Sequence, residues 1–270
     1  MGYEKYTGII AREVDTGDAD RYLTILSVEQ GKFECYAKGL RKQSSKLAPQ
    51  AGLMTYGEFG VFNNKDRRIL TSAKSLESFY DIRMDIVKCA YAMHFLEISR
   101  DVIVEAQAFP QALQMLLNTL YVLCYKDMPP DLISRVFEIR ILAIAGFAPI
   151  FDHCSICGAP LGPGETAGFA IYGDGAVCAG AECTNAAGRM LPISRGAIKA
   201  MRYIAECSAG NVFQFTLSES IMAELSSIVP AYLREKFGKE YNMLDEAERY
   251  HTFENEMHKK TLVKKIPYDD

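Results

Sequence analysis

The chain has 270 residues, 49% of them hydrophobic and 24% charged, with 30 Lys and Arg against 34 Asp and Glu for a formal net charge of −4. Length predicts about two domains with at least one sizeable core, and the apolar share excludes disorder for the bulk of the chain. The longest apolar run, Ile141 to Phe151, is broken by Gly146 and Pro149 and is far below the roughly 18 residues of a membrane span, and no apolar stretch follows Met1 to Tyr6, so a cytoplasmic protein without a membrane partner is expected.

From Tyr6 to about Leu76 the runs are short and strand-like: Thr7 to Ala11, Arg21 to Leu26, Lys32 to Lys38, Tyr56 to Phe62 and Arg68 to Ala73. Five strands with a long polar connection between the third and fourth predict a small closed barrel of OB type, and an SH3-like barrel fits the pattern nearly as well. On the third strand Phe33, Cys35 and Ala37 share one face while Glu34, Tyr36 and Lys38 share the other. The apolar set takes the core, which leaves Tyr36 and Lys38 at the solvent beside Arg41, Lys42 and Lys46. These four cations fall between residues 38 and 46 without an acid among them. A phenol to stack a base beside cations for phosphates is how sequence-tolerant single-strand binders work. Arg21 and Tyr22 on the neighbouring strand extend the set. A solvated loop whose lysines only aid solubility accounts for the same residues.

After Leu76 the period becomes helical. Ile82 to Ile103 reads as one long helical stretch, Gln111 to Tyr125 as a second, and Asp131 to Ala145 as a third, started by Pro129 and Pro130 and stopped by Gly146 and Pro149. Helical periodicity resumes at Ser194 to Cys207 and Leu217 to Phe237. Stripes such as Met115, Thr119 and Tyr125, and His94 beside Phe95 and Leu96, read as core. The fold class is therefore α+β, an N-terminal barrel at 1–80 followed by a helical domain at 81–238. Residues 239–270 form a polar tail, expected to be mobile.

Between the helices, residues 151–192 lose periodicity and fill with Gly, Pro and Cys. Four of the eight cysteines crowd there: Cys154 and Cys157 in a C-x2-C knuckle, then Cys178 and Cys183 in a C-x4-C pair. Two pairs on neighbouring turns complete the tetrahedron that zinc prefers, and four thiolates leave no open position, so one structural zinc is expected in an inserted module at about 150–190. Thioredoxin-like redox chemistry and free structural thiols are the alternatives, although a redox knuckle needs no second pair. His153 offers a replacement ligand but reads as a surface residue. No Ser/His/Asp set, no phosphate-binding Gly-rich loop and no deaminase signature is present. The chain reads as a binding protein, not an enzyme.

The assembled motifs resemble one family, the bacterial recombination mediators called RecO, over roughly residues 5–237. The resemblance rests on Gly8 to Ile10 leading to Gly17 to Asp20, on Gly31 and Lys32, and on Ala37 to Lys42 followed by Ser45 and Leu47. Its most specific part is Phe137 to Pro149 (FEIRILAIAGFAP) running into Cys154 to Gly158 (CSICG). It implies DNA repair and recombination in the bacterial nucleoid: binding of single- and double-stranded DNA, annealing of complementary strands, and loading of recombinase onto strands coated by single-strand-binding protein, with RecR and RecF as partners. It promotes Lys38, Arg41, Lys42, Lys46, Arg21 and Tyr36 to DNA contacts. It also implies that the acidic, apolar-ended tail of single-strand-binding protein docks on the helical domain, where Arg135 and Arg140 are the cations on the most family-like helix. Local pairing of Arg135 with Asp131 or Glu138 is the alternative. Without the resemblance, a zinc-ribbon transcription or RNA-binding factor and a protein-interaction scaffold remain open.

Overall fold

A computed structural model describes residues 2–64, 67–162 and 165–244. Its first five strands are β1 (Gly2–Thr16), β2 (Asp20–Ser27), β3 (Gly31–Ala37), β4 (Tyr56–Asn63) and β5 (Arg68–Glu77), closed into a barrel in the order β1-β2-β3-β5-β4. Every neighbouring pair is antiparallel except β3 with β5, where Tyr36 lies opposite Ile69. The long connection at 38–55 makes that parallel pairing reachable, and the arrangement is the OB fold. β1 serves both β2 and β4 because a register shift between Ile10 and Arg12 bends it. At Gly8 a Cβ would sit 2.3 Å from the Leu26 carbonyl oxygen, so only glycine lets β1 pass β2 there.

Alternation sends Ile10, Leu23, Ile25, Phe33, Cys35, Phe59 and Val61 into the barrel interior. Their neighbours Ile9, Ala11 and Leu26, with Met54, join a second core built mainly by helices α1 (Tyr80–Arg83), α2 (Ile86–Val102), α3 (Pro110–Tyr125) and α4 (Pro130–Ile144). The predicted stretch from Ile82 to Ile103 is thus two helices. Asp85 takes extended backbone and its carboxylate accepts from the amides of Val87 and Lys88, starting a new helix in place of continuing the old one. Tyr125 also departs from expectation. It is 46% exposed, stacked on Tyr121 with its hydroxyl donating to Glu77, because α3 ends at that residue and projects it past the core.

Residues 150–191 contain strands that the sequence did not announce. β6 (Thr166–Ala170) pairs with β7 (Gly175–Cys178), the short α5 (Ala181–Ala186) follows, and β8 (Met190–Leu191) closes the sheet on the other side of β6. This insertion also packs apolar side chains inward. Phe151, Phe169 and Ile171 enter the helical core, and Phe169 meets Tyr232 edge to face at 5.3 Å. α6 (Arg195–Glu206) and α7 (Glu219–Phe237) complete the fold.

The barrel is fixed to the helices at the β2–β3 turn. Gly31 has φ +70°, and a Cβ there would lie 2.1 Å from the Gln107 carbonyl oxygen. Lys32 donates its amide to Val104 and its ammonium to the Arg100 carbonyl. After α7, Lys239 reaches Glu97 and Asp101 at 2.8 and 2.9 Å, and Tyr241 donates to Asp101, so residues 239–241 lie against α2. The rest of the polar tail, 245–270, lies outside the described residues. No helix of the described residues is long and apolar enough to cross a membrane.

Candidate nucleic-acid interface and metal centre

Tyr22 and Tyr36 are cross-strand partners on the outer surface of β2 and β3, with ring centroids 5.3 Å apart. The Arg67 guanidinium lies over the Tyr36 ring at 5.1 Å from its centroid. Arg67 escaped the sequence reading because its partner lies across the parallel β3·β5 pair, which no local spacing reveals. The Tyr36 hydroxyl donates to Asp20, and Asp20 also accepts the Gly39 amide at 2.6 Å, while the Arg41 amide donates to the Ala19 carbonyl. The hydrogen bond from Tyr36, with that from Gly39, holds the Asp20 carboxyl below its ordinary range and raises the Tyr36 phenol. Asp20 thereby ties the end of β3 and the start of the cationic loop to the β1–β2 turn.

The expected cations divide into two kinds. Lys38, Lys42 and Lys46 are exposed and make no ion pair among the described residues. Arg21 is held by Glu13 and Asp15, each at 2.7 Å, and Arg41 stands 3.3 Å from Asp15. Burial pushes the Glu13 carboxyl up against the pull of Arg21, whereas the hydrogen bond from Arg21 holds Asp15 down. The three lysines are available to phosphates, while Arg21 is engaged with carboxylates.

Cys154, Cys157, Cys178 and Cys183 come together with all four sulfur atoms within 4.8 Å of one another. A tetrahedral ion with sulfur at about 2.3 Å needs sulfurs about 3.8 Å apart, so the set could hold one metal ion with little adjustment. The knuckle forms because Gly158 takes φ +73° and returns its amide to the Cys154 carbonyl, while Cys154 donates its own amide to Ala159. β7 delivers Cys178 and α5 delivers Cys183. Burial raises the Cys154 thiol, but amides of Cys157, Cys178 and Ile156 aimed at its sulfur outweigh that and bring it to about 6. Cys183 is pushed up to about 12 by hydrogen bonds with Cys178 and Cys157. Backbone donors thus favour a thiolate at Cys154, as a metal ligand requires. His153 is exposed and stands outside the four-sulfur group.

Arg135 and Arg140 have different surroundings. Arg140 donates to the Ala205 and Ile204 carbonyls at the end of α6. Arg135 is buried, with Nη1 2.9 Å from Glu138, which also takes the His94 Nε2 contact at 2.7 Å and the Ser134 hydroxyl at 3.1 Å. Glu138 is 1% exposed, and His94 Nδ1 is buried with no hydrogen-bond partner among the described residues. This group forms the floor of a cavity of about 490 Å³ whose walls include Pro230, Leu233, Arg234 and Tyr241. Apolar side chains such as Leu233 and Pro230 share these walls with the cation Arg234 and the carboxylates Asp131 and Glu240, so the cavity offers both apolar and charged contacts.

Comparison with known proteins finds matches to both the barrel and the helical part. Residues 1–79 match the family described as Recombination protein O N terminal, and residues 83–244 match Recombination protein O C terminal. The DNA repair protein RecO of Acetivibrio thermocellus is 40% identical over 245 residues, 91% of this chain and 96% of its own length. That of Dehalococcoides mccartyi is 30% identical over 236 residues, covering 87% and 91%. That of Moorella thermoacetica is 29% identical over 226 residues, covering 84% and 83%.

Proposed function

This chain belongs to the RecO family of DNA repair proteins, and we propose that it acts as a recombination mediator: it binds single- and double-stranded DNA, anneals complementary strands and helps load recombinase onto strands coated by single-strand-binding protein. The observation that carries this reading is the column of Tyr22, Tyr36 and Arg67 beside Lys38, Lys42 and Lys46. Stacking surfaces and unpaired cations without a base-reading pocket give affinity that tolerates any sequence, and annealing needs that. The work is binding, not catalysis, in the bacterial nucleoid. Residues 1–80 serve as the DNA-binding domain and 81–238 as the helical domain. Within the interface Arg41 exchanges Asp15 for a phosphate, and Arg21 holds the turn in place. Zinc is the ion assigned to the four cysteines, where it fixes the module.

RecR and RecF are the proposed protein partners, with the acidic tail of single-strand-binding protein seated in the cavity over Arg135. Arg140 contributes there only by holding the end of α6. Binding of a tail peptide should weaken several-fold in Arg234→Ala, an exposed substitution at the cavity wall, and more in Arg135→Ala; equal affinities in all three proteins would place the tail elsewhere.

A filter-binding titration on single-stranded DNA at two salt concentrations tests the main reading. Arg41→Ala, Lys42→Ala and Lys46→Ala combined should flatten the slope of log K against log salt by roughly 2, since each phosphate contact on a single strand contributes about 0.7. An unchanged slope with an unchanged annealing rate removes the loop from the mechanism. Strong preference for one sequence would instead favour a transcription factor.

A further inference from the structure

We propose that Tyr3 and Phe62, on the β1–β4 side of the barrel, form a second base-stacking platform for single-stranded nucleic acid, continuous with Tyr36 through Ile69 and Arg67. The inference extends the DNA-binding reading above and rests on it.

The register dictates the continuity. Val14 lies opposite Tyr22, Tyr22 opposite Tyr36, Tyr36 opposite Ile69, Ile69 opposite Phe62, and Phe62 opposite Tyr3. Cross-strand partners project to the same side of a sheet, so these six side chains make one row on the outer surface, crossing every strand. The row returns to β1 far from where it left, as the stagger of a small barrel with tilted strands requires. The helices cover the same outer surface at Ile9, Ala11 and Leu26 and leave this row open. From Tyr36 to Tyr3 is three strand spacings, roughly 14 Å, and a barrel that holds about 4 nucleotides or more needs more than one stacking point over such a span.

The chemistry of the row favours a nucleic acid as its occupant. Tyr3 is 76% exposed, with its ring 4.8 Å from Phe62 and tilted by 49°. Lys5, the next outward residue on β1, is exposed and lies opposite Gly60, where the Ser72 side chain occupies the place of a Cβ. Arg67 lies over Tyr36 and makes no ion pair among the described residues. Of the outward carboxylates nearby, Glu34 and Glu58 stand on the helical side of the row, with Glu58 opposite Lys74, and Asp20 is engaged by the Tyr36 hydroxyl and the Gly39 amide. Aromatic faces with cations along one edge match successive bases with phosphates beside them and leave the sequence unread.

The test uses the full chain and labelled thymidine oligonucleotides of graded length. Tyr3→Ala should weaken binding of long oligonucleotides about tenfold, the effect of one lost stacked base, with the shortest bound oligonucleotide unaffected. Tyr3→Phe should bind as wild type does, and the salt slope should not change because no charge is removed. If Tyr36→Ala weakens binding while Tyr3→Ala matches wild type at every length, this inference fails and the DNA-binding reading stands. Wild type that binds no oligonucleotide overturns both. Lost affinity in Tyr3→Ala matched by a lowered melting temperature, with Tyr3→Phe restoring both, assigns the ring to holding β1 on β4 and overturns the platform.

Discussion

Glu138 keeps its charge in a place where a lone carboxylate would not. Burial pushes its carboxyl up, but Arg135 first, then the His94 and Ser134 contacts, outweigh burial and hold it below the ordinary range. Its folded value is therefore depressed relative to the unfolded chain. Its contribution to stability is complete above the unfolded value of about 4.3 and is lost as pH falls through the lower folded value. Glu138→Gln leaves Arg135 buried without a counter-charge and should cost about 3–5 kcal/mol at neutral pH. Urea unfolding of both proteins from pH 7 to pH 3 should show that gap widest at pH 7 and narrowing below about 4.3. A gap that stays constant would mean that Glu138 is already neutral in the folded state. Only part of this group is legible in the sequence. Arg135 and Glu138 stand three apart on α4, so their pairing is visible as an alternative. His94 lies 44 residues away on another helix, and nothing local announces that it meets the same carboxylate.

Among the elements, the cysteine module joins two modes of support. Its outer side depends on the four-sulfur group and a small cluster of Ala170, Val177 and Ala187, while its inner side is packed into the helices through Phe151 and Phe169. Elemental analysis of protein purified without added metal should find about one zinc per chain, and Cys157→Ser should lower that occupancy. With the inner side still anchored, loss of the ion should loosen residues 150–191 without unfolding the helices. Hydrogen exchange should show protection lost in that segment alone, and protection lost equally in α2 and α4 would show the metal to be a global support. The spacing of the cysteines made their grouping readable, whereas the strands around them were not. β6, β7 and β8 are five, four and two residues long and carry Gly168 and Gly175, too short to establish alternation. The barrel was legible because period two persists along β3, and helix α4 because Pro129 and Pro130 mark its start. What escaped was set by tertiary position: the end of α3 that exposes Tyr125, and the parallel pair that brings Arg67 to Tyr36.

At the scale of the whole molecule, the barrel and the helices share a core across what their sequence patterns present as a boundary. Ile9, Ala11, Leu26 and Met54 are each no more than 1% exposed and belong to the same cluster as Phe95, Leu116 and Phe137. Burying a large side chain such as Ile9, Leu26 or Met54 contributes about 1.5–3 kcal/mol, so these three together represent several kcal/mol against the roughly 5–15 kcal/mol by which whole domains are stable. Gly31 and Lys32 add a junction in which backbone meets backbone, and it accepts no side chain. The barrel cut from its helices should therefore expose an apolar patch and lose much of its stability. Residues 1–79 expressed alone should melt well below the barrel of the full chain, or associate through that patch. Gly31→Ala in the full chain should lower stability through both its left-handed backbone and the collision with Gln107. Full-length protein should unfold in one transition by near- and far-ultraviolet circular dichroism. Two separate transitions, with the first 79 residues monomeric and as stable alone as in the full chain, would make the shared core a contact without consequence. The barrel would then move freely relative to the helices, and a strand bound along Tyr36 would have no fixed orientation toward the cavity over Arg135.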